Sequence, residues 1–133
     1  RPTARDLEHE ALNLHLRTRQ TMPTFFRGVH SDPPTERDFW SNKRFGRPPR
    51  HEEISNEREY DSLSMWDTLE GMHVVCRRFP KVGSHIAEVE TPDDEAQGIE
   101  YWRSGPPGHW SVRGDPAKLL SLVVRVTPVE PDR

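Results

Sequence analysis

Alternation of apolar and polar positions predicts short β-strands along much of this chain. Side chains of a strand point to opposite faces in turn, so a period of two marks a half-buried strand. The predicted strands cover residues 24–30, 60–66, 85–89, 99–103, 109–113 and 119–129. The last one is rich in β-branched residues, which favours a central position in the sheet.

Helical spacing of apolar residues predicts three helices. The first covers residues 4–20, and the second begins at Thr35, with Asp38 in its first turn, and runs to about Lys43. The third begins at Asp67 or Thr68 and ends before Pro80. Its apolar residues, which we expect to face the core, are Leu69, Met72, Val75, Cys76 and Phe79.

The order of these elements predicts one α+β domain over residues 1–133. We expect a twisted, mainly antiparallel sheet with about three packed helices. Residues 1–22 hold the N-terminal helix, residues 41–59 form a long polar loop, and residues 130–133 are a tail. Long loops in compact domains are often functional, so the 41–59 loop is a candidate lid over a ligand. Asp115, followed by Pro116, predicts the start of one further helical turn.

Composition narrows the classes of partner. The 133 residues include 13 prolines, and the net charge is −3. A negative chain is a poor non-specific nucleic-acid binder, because such binding needs surplus lysine and arginine. A local basic patch at Lys43, Arg44, Arg47 and Arg50 stays open, as does the alternative that these are solvated loop charges.

Cys76 is the single cysteine, so an internal disulfide is impossible and a reducing, cytoplasmic location is expected. Its apolar neighbours predict a buried structural thiol. The sequence shows neither a signal peptide nor an apolar run that could span a bilayer, so we expect no membrane association. The chain starts with Arg1 and Pro2 rather than methionine, which suggests a trimmed chain or a piece of a longer one.

Motifs for common chemistries are missing from the sequence. It has no HExxH or CxxC pattern for metal, no GxSxG elbow for hydrolysis and no GxxxxGK[ST] phosphate loop. We therefore expect no metal site. Any site must be built from isolated polar residues.

Arg27 is the first such residue, because it interrupts an apolar strand. If the strand alternates, Arg27 shares a face with Phe25 and Val29, where a guanidinium needs a carboxylate or an anionic ligand. Glu88 is the simplest buried partner. The alternative is that Phe26 faces the core and Arg27 faces water.

Four other residues complete a hypothetical ligand cleft. Arg27 would hold an anion, Ser64 would hydrogen-bond a sugar or amide, and Trp110, or Trp66 in its place, would stack on a ring. Glu88 and His109 are the candidate catalytic residues, with His109 as a polar contact or proton carrier. For each of these residues taken alone, the favoured interpretation is an ordinary surface residue.

Short segments between Thr24 and Val129 carry a family signature. They are Phe25-Phe26-Arg27, Ser31-Asp32-Pro33-Pro34-Thr35 with Asp38-Phe39, Gly46-Arg47-Pro48-Pro49, Ser64 with Asp67-Thr68, Gly83 to Glu88, and Gly108-His109-Trp110 with Gly114-Asp115-Pro116. Through them the chain resembles a small bacterial family without an assigned activity. This resemblance says little about function.

Arg27 and the strand–helix unit from Tyr60 to Thr68 also resemble the ADP-ribosyltransferase fold, including its small toxin members. In that fold an early arginine or histidine holds the NAD phosphates or ribose, and a late acidic residue contacts ribose. The resemblance implies NAD as the ligand, contacted by Arg27 and Ser64. The late acidic pair is missing, because Glu88 and Glu90 precede the final hairpin.

Two hypotheses follow. The leading one is a domain that binds or processes NAD or a related ribonucleotide, with Arg27 on the phosphates and Ser64 on the ribose. The alternative is a non-catalytic protein-interaction module, such as a toxin–antitoxin or defence-system component, anchored by tryptophan and arginine. Nucleic-acid binding would require the arginines of residues 43–50 to project together from one face.

Overall fold

Six strands form one antiparallel sheet in the computed structural model, which describes residues 23–92 and 98–131. The strands are β1 Thr24–Val29, β2 Leu63–Trp66, β3 His85–Glu90, β4 Glu100–Arg103, β5 His109–Arg113 and β6 Val123–Pro128. Their order in space is β4-β5-β2-β1-β3-β6. The predicted α+β class is confirmed. The predicted N-terminal helix lies outside the described residues, as does the end of the tail.

Within the described residues, four α-helices and three 3-10 helices lie between the strands. They are α1 Asn42–Phe45, α2 Glu57–Tyr60, α3 Leu69–Arg78 and α4 Pro116–Ser121, with 3-10 turns at Glu36–Phe39, His51–Ser55 and Pro80–Val82. No helix of the described ranges is long and apolar enough to cross a membrane.

The prediction of a long polar loop at 41–59 was wrong, because most of this stretch is helical. The side chain of Ser41 accepts the Arg44 N–H at 3.2 Å, and that of Asn56 accepts the Glu59 N–H at 3.3 Å. Such caps start a helix of one turn. A single turn is too short to show an apolar stripe, so the sequence pattern carried no helical period.

One face of the sheet carries the larger core. Phe25 and Val29 of β1 are buried there with Met65, Val89 and Val112. Phe39 from the 3-10 turn and Leu119 from α4 cover this face, and each is about 1% exposed or less. Thr35 begins the turn, as predicted, but the turn ends at Phe39 rather than Lys43. Trp40, the residue after the turn, is half-buried.

Helix α3 covers the opposite face. Phe26 and Ile86 of the sheet pack there against Met72 and Cys76 of the helix. The side chain of Thr68 caps α3 by accepting the Gly71 N–H at 3.0 Å, as the sequence predicts. The buried stripe is shorter than predicted, with His73 inside it. Leu69 and Phe79, the first and last residues of the predicted stripe, are 37% and 54% exposed. They lie beyond Met72 and Cys76, the helix residues that pack against the sheet.

The prediction of a central strand over residues 119–129 was also wrong. Residues up to Ser121 belong to α4, and β6 pairs with β3 at the edge of the sheet. Val124 is 53% exposed there. β-branched residues favour any strand, so they do not distinguish an edge from a centre. Asp115 precedes α4 as predicted, but its side chain makes no capping hydrogen bond.

Candidate functional site

Arg27 of β1 makes hydrogen bonds to β2 and to the 3-10 turn that contains Asp38. These strands pair where Phe26 lies opposite Trp66, and Arg27, the next residue of β1, is half-buried. Its Nε donates to the backbone oxygen of Asp38 at 3.1 Å, and Nη1 donates to that of Ser64 at 2.9 Å. Burial lowers the pKa of Arg27 to about 10, so the side chain stays charged at neutral pH. Asp38 favours that charge.

Glu88 is not the partner of Arg27, which corrects the sequence prediction. Glu88 lies opposite Phe26, whereas Arg27 lies opposite Ala87. Directly opposite residues of paired strands share a face, so Glu88 and Arg27 point to different faces. Asp38, which the sequence marked only as part of a helix start, accepts from Arg27 through its backbone oxygen, and its carboxylate favours the guanidinium through its charge.

Asp38 joins several backbone segments through its buried carboxylate. Oδ1 accepts the backbone N–H of His30 at 3.1 Å and lies 2.9 Å from His30 Nδ1. Oδ2 accepts the backbone N–H of Thr35 at 2.9 Å. On its other side His30 Nε2 lies 3.0 Å from the carbonyl oxygen of Lys81. We call Arg27, His30, Thr35, Asp38 and Lys81 the Asp38 hub.

Three arginines close to Asp38 in the chain lie over two aromatic rings. The ring centroids of Trp40 and Phe45 are 5.1 Å apart. The Arg37 guanidinium lies 5.4 Å from the Trp40 centroid, Arg44 lies 5.3 Å from the same ring, and Arg47 lies 4.2 Å from that of Phe45. All three arginines are exposed. We call these five residues the arginine–aromatic surface.

Local turns bring this surface together. Gly46 ends α1 in the left-handed conformation, with φ of 73°, which glycine adopts without strain. Arg47 follows Gly46, and its guanidinium lies over the ring of Phe45. Arg37 comes from the preceding 3-10 turn. The sequence grouped Arg44 and Arg47 as a possible patch, but it gave no sign that Arg37 and the two rings belong with them.

A second polar network surrounds Glu59 of α2. Ser111 donates to Glu59 Oε2 at 2.8 Å, and Trp102 Nε1 donates to Oε1. Ser104 Oγ lies 2.6 Å from Ser111 Oγ and 3.1 Å from His109 Nδ1. This chain of hydrogen bonds fastens α2 to β4 and β5. The role of His109 as a proton carrier stays a prediction.

A cavity of about 390 Å³ opens beside α4. Its charged lining residues are Arg44, Asp61, Glu100, Arg113 and Asp115. Arg113 Nε donates to Asp61 Oδ2 at 3.0 Å, and Nη1 lies 3.5 Å from Glu100 Oε1. The volume falls in the range of small-molecule pockets. Arg44 belongs to both the cavity and the arginine–aromatic surface.

Comparisons with protein-family models, curated proteins and solved structures found no match. The resemblances to a small bacterial family and to the ADP-ribosyltransferase fold therefore stay predictions. Within residues 23–92 and 98–131, no group of three histidine, cysteine or acidic side chains is placed to hold a metal ion.

The structure does not place the predicted cleft residues on one face of the sheet, although Arg27 Nη1 donates to the backbone oxygen of Ser64. Ser64, Glu88 and His109 point to the face covered by α3, with β1 lying between Ser64 and Glu88. Arg27 and Trp110 belong to the other face, where the Trp110 ring packs 5.3 Å from that of Phe25. Trp110 therefore contributes to the core, and Arg27 to the Asp38 hub.

Trp66 and Cys76 both belong to the hydrophobic cluster between α3 and the sheet. The Trp66 ring meets the His109 ring edge-on at 5.4 Å, so these two are neighbours. Cys76 is buried, as predicted, and burial raises the pKa of its thiol. A protonated, buried thiol is a poor nucleophile, which supports a structural role.

Proposed function

We propose that this domain is a protein-interaction module that binds an acidic segment of another protein through the arginine–aromatic surface. The observation that carries the proposal is the convergence of three exposed guanidiniums on Trp40 and Phe45. A guanidinium stacked on a ring keeps its N–H edge free to bind a carboxylate in bidentate fashion. Arginine and aromatic residues are frequent anchors of protein interfaces.

Two observations favour an acidic protein over a nucleic acid. Non-specific binding to a nucleic acid needs a surplus of lysine and arginine that releases its condensed counterions, whereas this chain has a net charge of −3. Proteins that bind single strands offer ring faces on which bases stack. Here guanidiniums lie over Trp40 and Phe45, so these faces are already occupied.

Neutralising the surface is expected to weaken binding of an acidic probe more than about tenfold, since loss of one interface anchor often costs that much. The variant carries Arg37→Gln, Arg44→Gln and Arg47→Gln. Fluorescence anisotropy with labelled poly-aspartate measures the affinity, which should also fall as salt is added.

The matched control removes three exposed arginines elsewhere, by Arg78→Gln, Arg103→Gln and Arg125→Gln. This variant has the same net charge and should keep most of the affinity. Equal losses in both variants would mean that poly-aspartate responds to total charge alone, which contradicts the proposal. Tighter binding of a single-stranded oligonucleotide than of poly-aspartate would favour a nucleic acid as the partner.

The ribonucleotide hypothesis has one supporting observation, the cavity beside α4. Arg44 at its rim could meet a phosphate, and Asp115 could accept hydrogen bonds from ribose hydroxyls. Under this second candidate function, NAD binding measured by calorimetry should weaken in Arg44→Gln and in Asp115→Asn. Absence of heat with NAD and with ADP-ribose would reject it.

A single cysteine with a buried thiol supports a cytoplasmic location for either function.

A further inference from the structure

We propose that a proton on His30 fixes the segment that carries the arginine–aromatic surface, so that the acidic partner is held most tightly while His30 is protonated. This inference rests on the proposed function and assigns a regulation to the same surface. Its physical basis is the position of the His30 ring between two hydrogen-bond acceptors.

Both ring nitrogens of His30 face oxygens. Nδ1 lies 2.9 Å from the Asp38 carboxylate, and Nε2 lies 3.0 Å from the Lys81 carbonyl. A carboxylate and a carbonyl can only accept, so each contact requires an N–H on the ring. The neutral ring has one N–H and must turn a lone pair toward one of the oxygens. Only the doubly protonated ring satisfies both contacts.

Asp38, which contacts His30, lies in the same short segment as two residues of the arginine–aromatic surface. The Asp38 carboxylate also accepts a hydrogen bond from the Thr35 N–H. The Asp38 carbonyl accepts one from Arg27 of the sheet. Arg37 immediately precedes Asp38, and Trp40 follows two residues later. Loss of the His30 proton leaves one ring N–H for two acceptors, so the ring loses its hydrogen bond either to Asp38 or to Lys81. The ring is then held from one side only, and the turn that it joins to Lys81 gains freedom.

The charges around His30 decide the direction of the effect. Hydrogen bonds from the ring to Asp38 and to the Lys81 carbonyl raise the pKa of His30 above 6.5, while Arg27 opposes the rise. A raised pKa means that the contribution to stability is complete below pH 6.5. It is lost as the pH climbs through the higher value of the folded state. The His30 side chain is 65% exposed, so it exchanges protons directly with solvent.

The anchoring is tested first without a partner, by NMR across the pH range of histidine titration. We expect the His30 ring to titrate above its usual pKa. We also expect the Thr35 amide, corrected for intrinsic exchange, to lose protection as His30 deprotonates. In His30→Gln that protection should no longer depend on this titration, whereas His85→Gln should behave like the wild type. An unshifted His30, or constant Thr35 protection, would overturn the inference.

The link to binding is tested with poly-aspartate, which stays ionised at about pH 6 and about pH 8.5. We expect the wild-type affinity to fall several-fold between these values and the His30→Gln affinity to change much less. Binding with the same pH dependence in both proteins would overturn the regulation while leaving the proposed function standing. Absence of binding at both pH values would overturn the proposed function and the link together.

Discussion

Replacing Asp38 with alanine is expected to lower the free energy of unfolding by about 3 kcal/mol, because a buried carboxylate that accepts several hydrogen bonds is lost and its donors are left without a partner. The Asp38 side chain is buried, and its carboxylate accepts hydrogen bonds from His30 and from the Thr35 backbone. Without it, Arg27 keeps its charge beside the sheet but loses the nearby carboxylate that favours it. Two backbone N–H groups also lose their acceptor.

Urea unfolding followed by circular dichroism measures this effect. Asp32→Ala is the control, because Asp32 is an exposed acidic residue of the same loop. We expect the control to change stability by less than about 0.5 kcal/mol. A loss below about 1 kcal/mol in Asp38→Ala, as for one ordinary hydrogen bond, would mean that Asp38 is not a hub.

Gly83→Ala is the second substitution with a large expected effect. A Cβ at Gly83 would lie 2.6 Å from the backbone nitrogen of Val29 and 2.7 Å from its oxygen. That oxygen accepts the Ser84 N–H at 3.0 Å, next to the start of β3. Backbone atoms of a paired strand cannot move aside as a flexible side chain can. We therefore expect a loss of about 3 kcal/mol or more.

The control for this substitution is Gly46→Ala, where a Cβ would have open space around it. Its positive φ should still cost about 1–2 kcal/mol, because an L-residue is strained in that region. Thermal and urea unfolding of both variants separate the two effects. A Gly83→Ala protein as stable as Gly46→Ala would contradict the close approach of Gly83 to β1.

Local patterns predicted most of the strands, because alternation is a property of a few neighbouring residues. The strand β2 followed the expected pattern, with Leu63 and Met65 buried on one side. The place of β6 at the edge depends on which strands pair, and its own residues do not encode that. Short helices such as α1 were not predicted, because a single turn is too short to show a helical period of apolar residues.

The candidate site could be predicted only in part. The strand pattern placed Arg27 on the face of Phe25 and required a carboxylate or an anionic ligand, with Glu88 as the simplest partner. The guanidinium instead donates to the backbone oxygens of Asp38 and Ser64, and the charge of Asp38 favours it. Register between β1 and β3 decides which face Glu88 takes, and register is a tertiary property. The stacking of Arg37 on Trp40 likewise depends on how the 3-10 turn and α1 fold back, which the sequence pattern did not show.

NMR mapping of the arginine side chains tests the central claim most directly. Spectra of the Nε–H groups, and of the Trp40 indole, would be recorded while poly-aspartate is added. We predict that the shifts concentrate on Arg37, Arg44, Arg47 and Trp40, while Arg103 and Arg125 stay unchanged. Shifts centred on Arg113 of the cavity, or spread evenly over all exposed arginines, would contradict an acidic partner on the arginine–aromatic surface.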